Sequence, residues 1–498
     1  MSSFTLDALQ TLGVNITHLV SDSRAVKMGD TFVAYPGAQA DGRRFIAQAI
    51  AQGANAVIWE AQDFSWNTAW TIPNLAVQNL RIHASQMADY VYRQPSQKLW
   101  MVGITGTNGK TSCSHWLANS LTQLGRKSAL LGTLGNGFTE ALQTTANTTP
   151  DALIVQSLLA EYVQQGAHAA VMEVSSHALE QARVASVHYD VALLTNLTRD
   201  HLDYHGDMQN YARAKRRLFE WAGLRYAVLN LDDLFGAQMA QALQDTQAEV
   251  IGYGLSDDAL KLAEQLGIRM VYANLTQINA QGLSLQLHTS WGAALLHSPL
   301  LGRFNAENLL GSLAVLLVSN VKLMDAVQVL SEQAAVAGRM QSVGDKNRPA
   351  VVVDYAHTPD ALEKVLSSLR ELTPVSGELL CVFGCGGDRD RGKRPMMGRI
   401  AAKLADVCIV TSDNPRNENP CVIMDEIMGE QASQFVPIED RAQAIAQAIQ
   451  RARINDTVLI AGKGHEEYQE IAGVRHAFSD VTIAQHALSA WKPQEQRT

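Results

Sequence analysis

The residues Gly106-Thr107-Asn108-Gly109-Lys110-Thr111-Ser112 have the composition of a phosphate-binding turn. Glycines let backbone N–H groups approach phosphate oxygens, a lysine offsets the β/γ-phosphate charge, and the hydroxyl after it can ligate Mg²⁺. Ile104 stands where a strict Walker A motif has its first glycine, so this is a variant of that pattern. A purely structural glycine-rich turn is the competing account. The apolar run before the turn and the helical pattern after it favour a nucleoside triphosphate site, with Lys110 as the main cation.

Two further clusters could hold a hard cation against phosphate oxygens. Glu173 lies in V-M-E-V-S-S-H, and Asp200, His201, Asp203 and His205 lie in T-N-L-T-R-D-H-L-D-Y-H-G. Carboxylates and imidazoles at adjacent strand ends suit Mg²⁺ chemistry, whereas either cluster alone reads as loop polarity. In Y-A-R-A-K-R-R-L-F, helical spacing puts Lys215 on the apolar stripe of Tyr211, Ala214, Leu218 and Phe219. Arg213, Arg216 and Arg217 point elsewhere. Such a lysine either snorkels to solvent or is held neutral, where its amine could add carbon dioxide to give a carbamate, an oxygen ligand for a hard cation.

The elements that must position these groups are short apolar runs alternating with helical patterns. They are Leu99–Thr105, Ala169–Val174, Val191–Asn196 and Ala227–Leu229, then Val351–Tyr355, Leu379–Phe383, Val407–Thr411 and Val458–Ala461. Runs of about four to eight apolar residues between helices predict parallel strands buried on both faces. Polar clusters follow most of them: Gly106–Ser112, Ser175–His177, Arg199–His205, Ala356–Asp360, Gly384–Arg394, Asp413–Arg416 and Gly462–Glu466. Open α/β sheets bind ligands at the carboxyl ends of their strands, so two sheets facing each other would form one site. A helix is expected over Arg441–Arg453 with an Ala442, Ile445, Ala446, Ile449 stripe, and a long helical pattern over Asn308–Ala335.

Soft boundaries at Tyr92–Gln97 and Ala337–Gly338 divide the 498 residues into 1–98, 99–337 and 338–498. With 47% hydrophobic and 18% charged residues, the chain can build sizeable cores. Its net charge of −9 argues against a global nucleic-acid footprint. Five cysteines are too few for a disulfide framework, and Cys381 and Cys385 lack zinc-pair spacing. No secretory signal and no membrane span are visible, so a reduced, cytoplasmic α/β protein is expected.

Six segments occur in a telling order: T-G-T-N-G-K-T, E-V-S-S-H, N-L-T-R-D-H-L-D-Y-H-G, G-R-F-N-A-E-N, D-Y-A-H-T-P-D and G-D-R-D-R-G-K-R-P. Together they resemble the Mur ligases of peptidoglycan synthesis over nearly the whole chain. The resemblance implies an α/β fold of three domains: an N-terminal UDP-substrate domain, a central phosphate-loop ATPase with a parallel sheet, and a C-terminal Rossmann-like amino-acid domain. S-D-S-R, A-D-G-R-R and D-N-P-R point to the member that adds meso-diaminopimelate to the D-glutamyl γ-carboxylate of UDP-MurNAc-L-Ala-D-Glu.

The same resemblance assigns residues. Gly106, Thr107, Asn108, Gly109, Lys110, Thr111 and Ser112 would bind ATP phosphates, Asn305 the adenine, and Arg339 and Asp354 would close on the nucleotide. Thr111, Glu173, His201 and carbamylated Lys215 would hold magnesium. Ser23, Gln39, Asn147, Thr148, Thr149, Ser175, Gln181 and Arg183 would hold the UDP-muramoyl dipeptide. Arg389, Asp413, Asn414, Pro415, Arg416, Gly462 and Glu466 would receive the diaminopimelate. Lys110, Lys215, His201 and Lys393 would serve catalysis, with Arg389 a further cation; His177 and His357 stay undecided between structural and orienting roles. Ala38 replaces a histidine common beside the uridine, and Ala337 a proline common before Gly338-Arg339-Met340.

The expected partners are small molecules only, with ATP as substrate and no nucleic acid, acting on a monomer. The alternatives are a lysine-adding Mur ligase, a phosphate-loop regulatory ATPase whose hydrolysis moves a partner, and a folylpolyglutamate synthetase. The uridine-pocket residues and Asp413–Arg416 argue against the last of these.

Overall fold

The computed structural model describes residues 4–37, 40–145, 147–279, 281–345 and 347–493. Three sheets organise the chain. The first is parallel, in the order β1 (Leu19–Val20), β2 (Thr31–Ala34), β3 (Ala56–Glu60), β4 (Asn74–Val77). Phe32, Ala34 and Val57 pack on one face, and Val33, Ala56 and Ile58 on the other.

The second sheet has eleven strands: β5 (Trp100–Thr105), β6 (Ser128–Gly132), β7 (Gly135–Phe138), β8 (Ala141–Gln143), β9 (Ala169–Glu173), β10 (Val191–Leu194), β11 (Tyr226–Asn230), β12 (Glu249–Gly254), β13 (Arg269–Asn279), β14 (Gly282–Thr289) and β15 (Gly292–Ser298). Their order is β15-β14-β13-β12-β11-β10-β5-β9-β6-β7-β8. The pairs from β13 through β6 are parallel, and antiparallel strands flank them on both sides. Side chains alternate between two cores: Val102 and Ile104 face one, Met101 the other. Strand β5 lies between β9 and β10, so the loops after these three strands meet at one place.

The third sheet comprises β16 (Gln341–Val343), β17 (Ala350–Asp354), β18 (Leu379–Phe383), β19 (Val407–Val410), β20 (Phe435–Pro437) and β21 (Thr457–Ala461). Its order is β16-β17-β21-β18-β19-β20, parallel except for β16. A separate hairpin, β22 (Tyr468–Ile471) and β23 (Val474–Ala477), follows it.

The eight expected strands form. Two expectations change. The helical pattern over Asn308–Ala335 is two helices, Arg303–Val318 and Leu323–Ser331, because Asn320 turns left-handed at φ 61° between them. The buried face of the helix Arg441–Arg451 is Arg441, Ala444, Ile445, Ala448 and Ile449, so Ala442 and Ala446 lie at its margin. The basic run Arg389–Arg394, which taken alone would read as a solvated face, includes a wholly buried Arg394, paired with Glu418 (2.8 Å) and Glu426 (2.7 Å). No described helix is long and apolar enough to cross a membrane, and the described cysteines are all free.

Candidate active site

The loop after β5 is shaped by close backbone approaches. A Cβ at Gly106, where φ is 152°, would sit 1.8 Å from Thr195 Oγ1, and one at Gly109, where φ is 87°, would sit 2.4 Å from Asn308 Oδ1. Only glycine fits either position. Asn196 braces the loop: its carbonyl accepts from Thr107 N (2.9 Å) and its Oδ1 from Asn108 N (2.9 Å). The helix Lys110–Gln123 starts directly after Gly109 with no side-chain cap. Its first amides therefore face a cavity of about 200 Å³, the geometry that attracts an anion.

Thr107, Asn108, Gly109, Lys110, Thr111 and Ser112 line this cavity, with Glu173, Asp200 and His201 from the central sheet and Arg339, Asp354 and His357 from across the cleft. Residues from the third sheet's side thus reach the phosphate loop. Arg339 Nη2 is 3.3 Å from Thr111 Oγ1, and its guanidinium lies over the Tyr355 ring at 4.4 Å. Asn108 Nδ2 donates to Asp360 Oδ2 (3.0 Å), and Arg199 pairs with Asp390 (3.1 Å).

Two lysines converge on one carbonyl. Lys110 Nζ donates to Gly106 O and Thr107 O, both at 2.8 Å, and Lys215 Nζ donates to Gly106 O at 2.7 Å. Lys215 is 1% exposed. Burial first, then the Lys110 charge, holds its amine well below the ordinary lysine range, against the pull of Asp200. Burial also lowers Lys110. The expected apolar stripe exists, with Lys215 in its middle, and Nζ lies 4.5 Å from the Tyr211 ring centre.

Glu173 is enclosed by oxygen and amide donors. Its Oε2 accepts from Thr111 Oγ1 (3.0 Å) and Thr133 Oγ1 (2.9 Å), and its Oε1 from Thr133 N (2.9 Å). A carboxylate beside a phosphate-loop hydroxyl is a donor set that suits Mg²⁺, which is held by one or two carboxylates while phosphates and waters supply the rest. The described residues contain no group of three or more His, Cys, Asp or Glu that could hold a metal. His201 faces Asp200 at 3.4 Å, and burial lowers its imidazole, so it is neutral and able to ligate. Lys215, expected in the metal set as a carbamate, donates to Gly106 O and does not line the cavity. Burial raises the Asp200 carboxyl, but His357, 3.7 Å away, and the Lys393 charge outweigh this and hold it low.

Asn305 is expected at the adenine. Its Nδ2 donates to Leu301 O (2.8 Å), just before its own helix, and it does not line the cavity. Phe304, Glu307 and Asn308 of the same helix do. Lys393 is buried and donates to His357 O (2.7 Å), so it stands behind His357 and not at the cavity wall.

The residues expected to hold the UDP-linked substrate form two groups. Ser23 lines a second cavity, of about 530 Å³, beside Tyr35 and Gln48, and its hydroxyl donates to Gln48 Oε1 (3.0 Å). Gln39 and Ala38 lie outside the described residues. Thr148, Thr149, Ser175, Gln181 and Arg183 form a hydrogen-bonded run near the strand end of β9. Thr149 Oγ1 donates to Glu173 O (2.7 Å), Arg183 Nη1 to Thr149 O (2.7 Å), and Arg183 Nη2 to Gln181 Oε1 (2.7 Å). Thr133 Oγ1 lies within hydrogen-bond distance of Thr148 Oγ1 (3.1 Å), joining this run to Glu173. Asn147 is exposed next to it.

At the ends of β19 and β21 a third cluster forms. Asn414 Nδ2 donates to Glu466 Oε2 (2.8 Å), Arg416 Nη1 donates to Gly387 O (2.7 Å), and a Cβ on Gly462 would meet Asp413 Oδ2 at 2.7 Å. Pro415 holds the turn, its carbonyl accepting from Glu418 N (3.0 Å). Arg389 is exposed and donates only to Asp388 O. Lys463 was not singled out from the sequence, yet it is wholly buried at the centre. Its Nζ donates to Glu466 Oε2 (2.9 Å) and Asn414 Oδ1 (3.0 Å) and lies 3.5 Å from Asp413. Its G-K-G-H context after an apolar strand was the signal that could have found it.

The comparisons with known proteins agree with this layout. Family models match residues 15–92 (Mur ligase family, catalytic domain), 104–316 (Mur ligase middle domain) and 338–464 (Mur ligase, glutamate ligase domain). A UDP-N-acetylmuramoyl-L-alanyl-D-glutamate–2,6-diaminopimelate ligase of Chromobacterium violaceum is 53% identical over 97% of this chain and 96% of its own length. The ligase of the same name from Nitrosomonas europaea is 48% identical over 96% of this chain and 94% of its own length. A solved structure under that name is 37% identical, with a TM-score of 0.65 over 95% of each chain. A MurF ligase from Thermotoga maritima in complex with ADP shares the fold at 19% identity, with a TM-score of 0.63 over 95% of this chain and 98% of its own. With three sheets in this arrangement, a phosphate loop facing the third domain and near-full-length relatives of this identity, the chain belongs to the Mur ligase family.

Proposed function

We propose that the chain is an ATP-dependent ligase joining meso-diaminopimelate to the D-glutamyl γ-carboxylate of UDP-N-acetylmuramoyl-L-alanyl-D-glutamate, in peptidoglycan precursor synthesis. The observation that carries this reading is one cavity with the phosphate loop on one wall and Arg339, Asp354 and Tyr355 on the other, where Tyr355 donates to Glu466 Oε1 (3.4 Å) of the neighbouring Asp413–Arg416 cluster. The relatives' names support the substrate assignment. In this reading residues 1–98 hold the uridine nucleotide, 99–337 the ATP and 338–498 the amino acid. In this reading the enzyme is a monomer working in the cytoplasm.

A carboxylate is a poor acyl donor, and its approach to ATP brings two anions together. The helix amides after Gly109, with Lys110 and Arg339, offset that repulsion and stabilise the transferring phosphoryl group. The γ-carboxylate oxygen takes the γ-phosphoryl group and ADP leaves. The amine of diaminopimelate then attacks the acyl phosphate carbon, phosphate leaves, and the amine loses a proton. Mg²⁺, held through Thr111, Glu173 and His201, would supply Lewis-acid charge at the phosphates. Lys215, neutral at Gly106, is the group that could add carbon dioxide, losing a proton to become a carbamate. Thr148, Thr149, Ser175, Gln181 and Arg183 orient the substrate between the two walls.

Arg416 sets the amino acid. A guanidinium forks a carboxylate with parallel N–H bonds, and diaminopimelate carries that carboxylate at its far end where lysine does not. Removing one side of a desolvated charge pair costs about 2–5 kcal/mol, so Arg416→Ala lowers kcat/KM for diaminopimelate roughly a hundredfold or more. The test pairs each UDP-muramoyl peptide with each candidate amino acid. Phosphate release must need both. Release without either would favour a regulatory ATPase, and equal use of L-lysine would favour the lysine-adding reading.

A further inference from the structure

The Asp413–Arg416 turn, assigned above to the amino acid, is flanked by the hairpin β22–β23, which docks on it through main-chain groups. Arg416 N donates to Glu470 O (3.0 Å) and Ala472 N to Arg416 O (2.7 Å), while Glu470 N donates to Asn414 Oδ1 (2.9 Å). None of these bonds uses the Glu470 side chain. That side chain instead places Oε2 3.5 Å from Arg416 Nε, with both side chains partly exposed. Glu470 is the one carboxylate within ion-pair distance of Arg416 among the described residues. The other charges here are taken up: Asp413 and Glu466 face Lys463. Arg475, opposite Glu470 in the hairpin register, lies over the Tyr468 ring at 4.3 Å and makes no ion pair with Glu470 among the described residues.

We propose that Glu470 is a specificity-determining residue, the internal counter-ion of Arg416 with which the far-end carboxylate of the incoming amino acid must compete. This rests on the diaminopimelate reading above. Two consequences follow from the charge balance. A ligand carboxylate meets a guanidinium already partly neutralised, so binding is weaker than Arg416 alone would give. An ammonium-only ligand such as L-lysine meets a carboxylate beside the guanidinium, so it is repelled less. Glu470 therefore relaxes a selectivity that Arg416 creates.

The experiment is steady-state kinetics on full-length wild type, Glu470→Gln and Glu470→Ala, with ATP and the UDP-linked substrate saturating. Glu470→Gln keeps side-chain size and all three main-chain bonds. A partly exposed ion pair corresponds to a change of about twofold to fivefold. KM for diaminopimelate is expected to fall by that factor in both variants, kcat to stay unchanged, and the KM ratio of lysine to diaminopimelate to widen. An unchanged KM would overturn the counter-ion role. So would a KM that rises, since Glu470 would then hold Arg416 in place for the ligand. Wild type that fails to turn over diaminopimelate at all would sink the functional reading and this inference together. A wild type that uses it, with variants of unaltered KM, sinks the inference alone.

Discussion

Two clusters at the carboxyl ends of parallel strands each hold buried lysine: the phosphate loop, and the Asp413–Glu466 cluster, joined to the cavity wall through the Tyr355 hydroxyl at 3.4 Å from Glu466. They treat that lysine in opposite ways. At the phosphate loop, Lys110 and Lys215 rest on backbone carbonyls, and no carboxylate pairs with either among the described residues. Burial pushes both amines down. At the amino-acid end, Lys463 is ringed by Asp413, Glu466 and Asn414. The first end leaves Lys110 and the helix amides without a carboxylate partner, open to an anionic ligand. The second is already neutralised and suits a zwitterion, whose charges sum to zero. Ligand charge is thus written in how each lysine is partnered, not in whether a lysine is present.

The strongest way to break this contrast is at the phosphate loop. Lys110→Ala should lower ligation by roughly 10³-fold or more, the scale of a cation removed from phosphoryl transfer. Phosphate release with all three substrates measures it, and near-normal turnover would remove the basis for an anion-receptive end. Lys215→Ala should be close to inactive and partly restored by acetate, a small carboxylate standing in for the carbamate. An active, magnesium-loaded enzyme with an unmodified Lys215 ammonium would contradict that.

Stability sharpens the comparison at the other end. Lys463→Met leaves Asp413 and Glu466 without their cation, and breaking a buried pair costs about 3–5 kcal/mol. Denaturant unfolding should show this loss. Lys215→Met at the phosphate end should show none of it, because no carboxylate loses a partner there. Equal destabilisation by the two would mean that the ends are not differently neutralised.

The smallest expected effect is in pH. Lys215 resists protonation when folded, so the unfolded chain binds more protons between its lowered folded value and the ordinary lysine value of 10.5. Stability then rises with pH across that window, with a slope of at most about 1.4 kcal/mol per pH unit for one proton. In buffer free of carbon dioxide, Lys215→Met should flatten the rise. A wild type and variant with parallel stability curves would show that Lys215 is not held neutral.

Some of this was legible from the residues alone. The phosphate loop is contiguous, and its chemistry is carried by Gly106, Gly109, Lys110 and Thr111 within a few positions. Helical spacing likewise put Lys215 on a buried stripe, since that periodicity is a local property of the chain. Other parts were not legible. Lys463 and Asp413 lie far apart in sequence and meet only because β21 and β19 flank β18 in one parallel sheet. Asn305 and Asn308 sit in one helical turn, and only packing against Gly109 decides that Asn308 faces the cavity.

The sequence by itself determined the chemistry within each loop and the alternation of strand and helix, because both depend on neighbours along the chain. Tertiary structure alone decided which loops meet and which charges are neutralised. Arg394 illustrates the reason. In sequence it ends a basic run that reads as a solvated face, yet two glutamates from later in the chain allow it to be wholly buried. A charge's environment is a sum over groups near it in space, and strand order, not residue order, sets those distances.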